Sequence, residues 1–318
     1  MLNTKSILFT FLFISIFLVA LNSPAEPQEL NFNTMTLSPN KKADLKLILR
    51  WYKNKNSSNW TMNFIKTRKK YFIRILSAYP KKTSTKAVLL FSGGDGTASF
   101  DIQDLESSKN KFKYKKSVRP KNNSLSRSAH LFANEGFIAS NVDVPIPFSE
   151  DPLIGNDAYG IGTDYRTSKK HLIDVQNIIK FHKKNGVKEF YLAGTSRGSY
   201  SVTYLATQIT DPSIKGFIST ASMDDIDIID LAKIKKPFLF VHHEDDECHV
   251  TTHGSATSNY ETIPSSSKHF LTVGGGDSPL GRSCGALAEH GFIGINKKVV
   301  KNITLWMKGE KIPNRISD

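Results

Sequence analysis

From about residue 70 to residue 310, short apolar runs alternate with amphipathic stretches, and that alternation limits the fold more than any other feature of the chain. "KAVLLFSGG" is a continuous apolar run ending in glycines, the pattern of a strand buried on both faces. "SLSRSAHLFANEG" then reads as an amphipathic helix and "FIASNVDVP" as a strand. "DYRTSKKHLIDVQNIIKFHKKNG" is a long helix stopped at Gly186, "KEFYLAG" a strand and "SYSVTYLATQI" a helix. Three more strands, "KGFISTAS", "KPFLFVHHE" and "KHFLTVGGG", precede a closing helix in "GINKKVVKNITLWMKG". Alternation of this kind predicts an α/β fold: a mostly parallel, doubly wound sheet with helices on both faces. Functional residues in such sheets gather at the carboxyl ends of the strands.

The chain start has a different character. "MLNTKSILFTFLFISIFLVALNSPAEPQ" carries Lys5, an apolar run from Ile7 to Leu21, and then small and polar residues. This is the layout of a secretory signal peptide, with cleavage expected after Ala25. The apolar run is shorter than the ~20 residues of a spanning helix, so no stable membrane insertion is expected after cleavage. The division expected is therefore a signal peptide over 1–25, a helical extension and linker over 26–68, and a catalytic domain over 69–318. A secreted or periplasmic location follows, in a compartment that favours disulfides.

Net charge is +14, from 43 lysines and arginines against 29 acidic residues. The basic residues are scattered, without the arginine–aromatic clustering of a nucleic-acid face, so nucleic acid is not expected as a partner. A solvated, lysine-rich surface accounts for the excess.

Chemistry concentrates around Gly194-Thr195-Ser196-Arg197-Gly198. The pentapeptide follows a strand directly and precedes a helix, the setting of a nucleophile elbow. Glycines flanking the serine leave room for the sharp turn that lifts its Oγ off the strand end. A serine nucleophile needs a base, and the base needs an orienting carboxylate. Downstream, "PFLFVHHEDDECH" delivers Asp245 and Asp246 at a strand end, and "CGALAEHGF" places His290 in a loop before the last helix.

In the chain order Ser196, Asp246, His290, residues 70–310 resemble an α/β-hydrolase. The resemblance implies a Ser–Asp–His triad. Relatives commonly carry His-Gly-x-x-Asp at the acid, which laid on His242–Asp246 selects Asp246; His243 stands where glycine is usual, and Asp245 stays as the alternative. One oxyanion amide is expected from Arg197 and the second from Gly93 or Gly94 in "FSGGDGT". The acid and histidine loops are neighbours in this fold, so Cys248 and Cys284 are expected to form a disulfide that clamps them. Only about a dozen and a half residues separate "GFISTAS" from "KPFLFV", so no large cap domain is expected and the site should be open. The insertion "PIPFSEDPLIGNDAYGIGTDYRT" is expected to form a partial rim.

These features predict an exported serine hydrolase, cofactor-free, that cleaves carboxylic esters of small-molecule or polymeric substrates through an acyl-enzyme. A serine peptidase of the same fold is the alternative, and a non-catalytic binding protein a further one. No metal is expected in the cluster His242, His243, Glu244, Asp245, Asp246, His249 and His253, because adjacent strand residues face opposite ways. His130, His171 and His182 are expected at the surface, and "VGGGDSPLG" as the loop leading into the histidine segment.

Overall fold

The computed structural model describes residues 59–98, 105–108, 111–114, 123–147 and 160–318. The expected signal peptide, most of the expected helical extension, and residues 148–159 of the expected rim lie outside them. Among the described residues the main sheet has nine strands: β1 (Asn59–Arg68), β2 (Tyr71–Tyr79), β3 (Lys86–Phe91), β6 (Ile138–Pro147), β7 (Glu189–Ser196), β8 (Ile214–Ser222), β9 (Phe238–His243), β10 (Lys268–Val273) and β11 (Arg315–Ile316). Their spatial order is β1-β2-β6-β3-β7-β8-β9-β10-β11. β1 and β2 pair antiparallel, β2 and β6 do likewise, and the remaining neighbours run parallel. Strands β4 (Leu105–Ser108) and β5 (Lys111–Tyr114) form a separate hairpin.

Residues 26–68 were expected to form a helical extension and linker. Instead, residues 59–68 form the edge strand β1, registered from Asn59↔Tyr79 to Arg68↔Tyr71. Trp60, Met62 and Phe64 are buried on one face and Ile65 on the other, so this segment belongs to the sheet.

Among the described residues the α-helices are α1 (Ser124–Asn134), α2 (Thr163–Arg166), α3 (Lys169–Lys184), α4 (Gly198–Gln208), α5 (His253–Thr262) and α6 (Asn296–Met307). They cover both faces, and the two-residue period of the strands divides the core between them. In β3, Val88 and Leu90 pack with Leu125 and Phe132 of α1 and with Val299 and Ile303 of α6. Ala87, Leu89 and Phe91 pack the other way, with Ile178 of α3 and Val202 and Leu205 of α4. Parallel strands covered on both sides must be apolar throughout, which is why β3 and β9 read as unbroken runs. Caps fix the helix starts: the Asn123 side chain accepts from Leu125 N at 3.2 Å, and Ser168 Oγ accepts from His171 N at 3.3 Å.

His171 and His182 were expected at the surface, and both are buried. They share one face of α3 with Val175 and Ile178, at helical spacing, and that face meets the sheet. The β8–β9 connection holds only two short 3-10 turns, Ile226–Ile228 and Leu231–Lys233, and no cap is inserted there. Among the described residues no helix is long and apolar enough to cross a membrane.

Candidate active site

The parallel strands deliver Ser196, Asp246 and His290 to one edge of the sheet. Ser196 is the last residue of β7, at φ 52°, and α4 starts at Gly198. Positive φ is costly for a residue with a side chain, so the surroundings must hold the turn. The flanking glycines show how tight it is. A Cβ on Gly194 would lie 2.1 Å from Gly198 O, and one on Gly198 would lie 2.3 Å from Phe91 O. Strand β3, strand β7 and helix α4 therefore meet at a point where only glycine fits. Ser196 is half-buried, and Arg197 beside it is exposed.

The glycine loop after β3 rests on this turn. A Cβ on Gly93 would meet Ser196 Cβ at 2.8 Å and Thr195 O at 3.0 Å, so the Gly93 backbone abuts the serine. Gly94 has φ +56° with open space on its Cβ side. Two polar anchors fix this loop. Ser92 Oγ is 2.9 Å from Ser126 Oγ of α1. The buried Arg166 guanidinium donates to Ser92 O at 3.1 Å, to Gly94 O at 3.4 Å and to Ser201 Oγ of α4 at 3.2 Å. Burial, together with the nearby Arg197 charge, lowers the Arg166 pKa to about 10, so it remains cationic at neutral pH. Occupying the loop carbonyls leaves its amides to face elsewhere.

Asp246 follows β9 and His290 sits in a 3-10 turn, Glu289–Gly291, between β10 and α6. His290 Nδ1 is 3.0 Å from Asp246 Oδ2, and both residues are buried. Asp245 is exposed and points away, its own amide donating to His243 Nδ1 at 3.1 Å. Of the two candidate acids, Asp246 is the one on the histidine.

Two further side chains complete the cluster. Thr251, fully buried, donates its hydroxyl to Asp246 Oδ2 at 3.1 Å, and its Oγ1 lies 3.0 Å from His290 Nδ1. His242 Nε2 lies 2.8 Å from Thr251 O and 3.4 Å from Asp246 Oδ2. A carbonyl acceptor at Nε2 assigns the proton to that nitrogen. Cys248 N donates to the other carboxylate oxygen at 3.0 Å. Burial pushes the Asp246 carboxyl up, but hydrogen bonds from His242 and His290 outweigh it and hold the group well below the usual carboxylate range. The carboxylate is thus charged, fixed and dry.

Cys248 and Cys284 form a disulfide, with their Cα atoms 4.5 Å apart, and it ties the acid loop to the histidine loop. Donor atoms of Asp246, Cys248 and His290 lie within 4.8 Å of one another, the spacing of a metal site. A disulfide sulfur offers no thiolate, and His290 is already directed at Asp246, so the donor set does not suit an ion. His242 and His243 bond to opposite partners, Thr251 O and Gly275 O, as alternation along a strand requires.

Thr251, His242 and Arg166 belong to this cluster and its glycine loop without having been expected there. His242 carried a signal, the first position of the His-Gly-x-x-Asp pattern, without a role attached. Thr251 and Arg166 carried none, because their partners are distant in the chain.

Comparison with solved structures places the chain in the α/β-hydrolase fold, without a large cap. A dienelactone hydrolase from Anabaena variabilis aligns over 80% of this chain and 99% of its own, with a TM-score of 0.54 and 12% identity. An esterase from Pyrococcus furiosus aligns over 81% and 95%, with a TM-score of 0.53 and 12% identity. A Xanthomonas campestris protein described as a serine hydrolase without a lid aligns over 80% and 97%, with a TM-score of 0.51 and 11% identity. No protein-family model matches the chain, and no curated protein matches it in sequence.

Proposed function

We propose that the chain is an exported serine hydrolase that cleaves carboxylic esters through an acyl-enzyme. The observation that carries this reading is the buried Asp246–His290 bond of 3.0 Å at the sheet edge where β7 presents Ser196 on a strained turn. With Nδ1–H of His290 committed to Asp246, Nε2 is the nitrogen that takes the proton of Ser196 Oγ as the hydroxyl adds to the ester carbonyl. Asp246 holds that tautomer and stabilises the imidazolium that forms. The carbonyl oxygen becomes an oxyanion held by the amide of Arg197 and an amide of the glycine loop. The positive end of α4 points at the same charge. His290 then protonates the leaving alkoxide, and water, deprotonated by the same imidazole, releases the acid and restores Ser196.

Gly93, packed on Ser196, is the better placed of the two loop glycines to lie along the substrate oxygen. The short β8–β9 connection leaves the site uncovered on that side, which suits soluble or polymeric esters. The esterase and hydrolase neighbours share the fold and favour esters over peptides. Export is supported by the amino-terminal sequence and by the disulfide, which suits an oxidising compartment. The test is turnover of a panel of chromogenic esters and aminoacyl anilides of varied length by the mature protein and by Ser196→Ala. Ester turnover that disappears in the variant supports the proposal. Turnover of anilides alone would make the protein a peptidase, and none of either would leave a binding protein on this fold.

A further inference from the structure

We infer that Arg127 is a positioning residue for His290: from the first turn of α1 it holds the histidine segment in register with the glycine loop. The inference rests on the reading of His290 as the base. Neighbouring residues of α1 reach the two loops. Ser126 Oγ is 2.9 Å from Ser92 Oγ, one residue before Gly93. The half-buried Arg127 guanidinium crosses to the other loop, donating from Nη1 to Ala286 O and from Nη2 to Gly291 O at 2.5 Å and Asn296 Oδ1 at 2.8 Å.

Gly291 directly follows His290, and the chain folds back so tightly there that a Cβ on Gly291 would lie 2.0 Å from Ala286 O. Residues 286 and 291 thus close a small ring that carries the imidazole. Two carbonyl oxygens, Ala286 and Gly291, both lie within reach of the one guanidinium. A guanidinium, with five donors in a fixed plane, can bind both carbonyls and the Asn296 amide oxygen together; an ammonium cannot do so with the same geometry. Charge-assisted bonds in a half-buried setting are also the stronger kind. Asn296 Nδ2 adds a longer bond to Gly291 O, 3.2 Å, from the start of α6.

Asp246 and Thr251 both hold His290 at Nδ1, so they leave the ring a pivot about that nitrogen. The Cys248–Cys284 disulfide anchors the segment only on the side before the ring. Arg127 grips the backbone immediately after His290 and so fixes where Nε2 points. Because Ser126 grips the glycine loop from the same helical turn, α1 sets the distance between the base and the oxyanion amides.

The test compares Arg127→Met and Arg127→Lys with wild type by ester kinetics, by hydrogen exchange over residues 286–295, and by phosphonate labelling of Ser196. Arg127→Met is expected to lower kcat by about 10- to 100-fold with KM within about twofold, since misplacing a reacting group by an ångström has effects of this size. Exchange over 286–295 should accelerate, and millimolar guanidinium should restore part of kcat. Arg127→Lys should fall between the two. A kcat within twofold of wild type in Arg127→Met overturns the inference, as does unchanged exchange in 286–295. Should Arg127→Met not fold, Arg127→Lys decides: kcat about threefold or more below wild type supports the brace, and wild-type kcat overturns it. If wild-type Ser196 takes no label, the proposed activity fails, and the exchange measurement still reads the brace.

Discussion

Replacing Gly194 by alanine tests the elbow through its geometry. The added Cβ would lie 2.1 Å from Gly198 O, 2.6 Å from Gly198 C and 3.1 Å from Val202 Cγ1. Packed Cβ atoms essentially never come within 3.0 Å, so β7 and α4 would have to part by about 0.9 Å. Both elements are braced, by β3 and β8 on one side and by the Arg166–Ser201 contact on the other, so the strain cannot relax outward. Overpacking of this kind costs about 1–3 kcal/mol. At roughly 2–4 °C per kcal/mol for a domain of this size, the melting temperature should fall by roughly 2–12 °C. The effect on turnover should be larger, about 100-fold in kcat/KM, because the displaced atoms carry Ser196 and the Arg197 amide. Gly254→Ala is the control: its Cβ meets open space on the exposed side of α5, and a gain of about 0.5 kcal/mol with unchanged turnover is expected. Calorimetry and ester kinetics on both variants decide. Gly194→Ala with wild-type turnover at an unchanged melting temperature would refute the reasoning.

Other perturbations reach different parts of the account. Thr251→Val removes the hydroxyl between Asp246 and His290; kcat should fall about tenfold at constant KM and recover in Thr251→Ser, and a silent valine variant would show that the hydroxyl does nothing for the base. His182 is fully buried beside Ser140, and burial lowers its pKa from 6.5 to about 4. The unfolded chain takes up that proton first, so the contribution of this histidine is fully present above pH 6.5 and is lost as pH falls toward 4, on the order of 3 kcal/mol in all. Urea titrations at pH 7.5, 6 and 5 should show a shallower loss in His182→Gln, which keeps a polar partner for Ser140; an identical slope would contradict this. Replacing Cys248 and Cys284 by serine should lower stability by about 3–4 kcal/mol and slow turnover, read from the urea midpoint and kcat, whereas an unmoved midpoint would show that the bridge clamps nothing.

The strands of the parallel sheet and the strand–turn–helix at Ser196 were legible because local signals carried them. A buried parallel strand must be apolar, and a sharp strand-to-helix turn must have glycines beside it. The segment 59–68 was misread because it was taken together with the apolar residues of 46–52 as one periodic stretch, although Trp60, Met62 and Phe64 alternate with Thr61 and Asn63 in the two-residue period of a strand. Pairing with β2 then fixes its register at the sheet edge. His171 and His182 were misplaced by the lysines around them, although 171, 175, 178 and 182 trace one helical stripe. Arg127, Arg166 and Thr251 were invisible for another reason. Each works through backbone oxygens or side chains far along the chain, and no local pattern records such a pairing. The choice of Asp246 over Asp245 likewise needed the loop geometry, which buries one carboxylate on His290 and turns the other to solvent.

The central claim, that Ser196 is a nucleophile activated by His290 and Asp246, is tested most directly by intact-mass spectrometry after treatment with a fluorophosphonate. The wild-type protein should gain one phosphonyl group, mapped to Ser196 by peptide digestion, and His290→Ala should gain it far more slowly. Label that persists on Ser196→Ala, or an unlabelled wild-type protein that still hydrolyses esters, would contradict it.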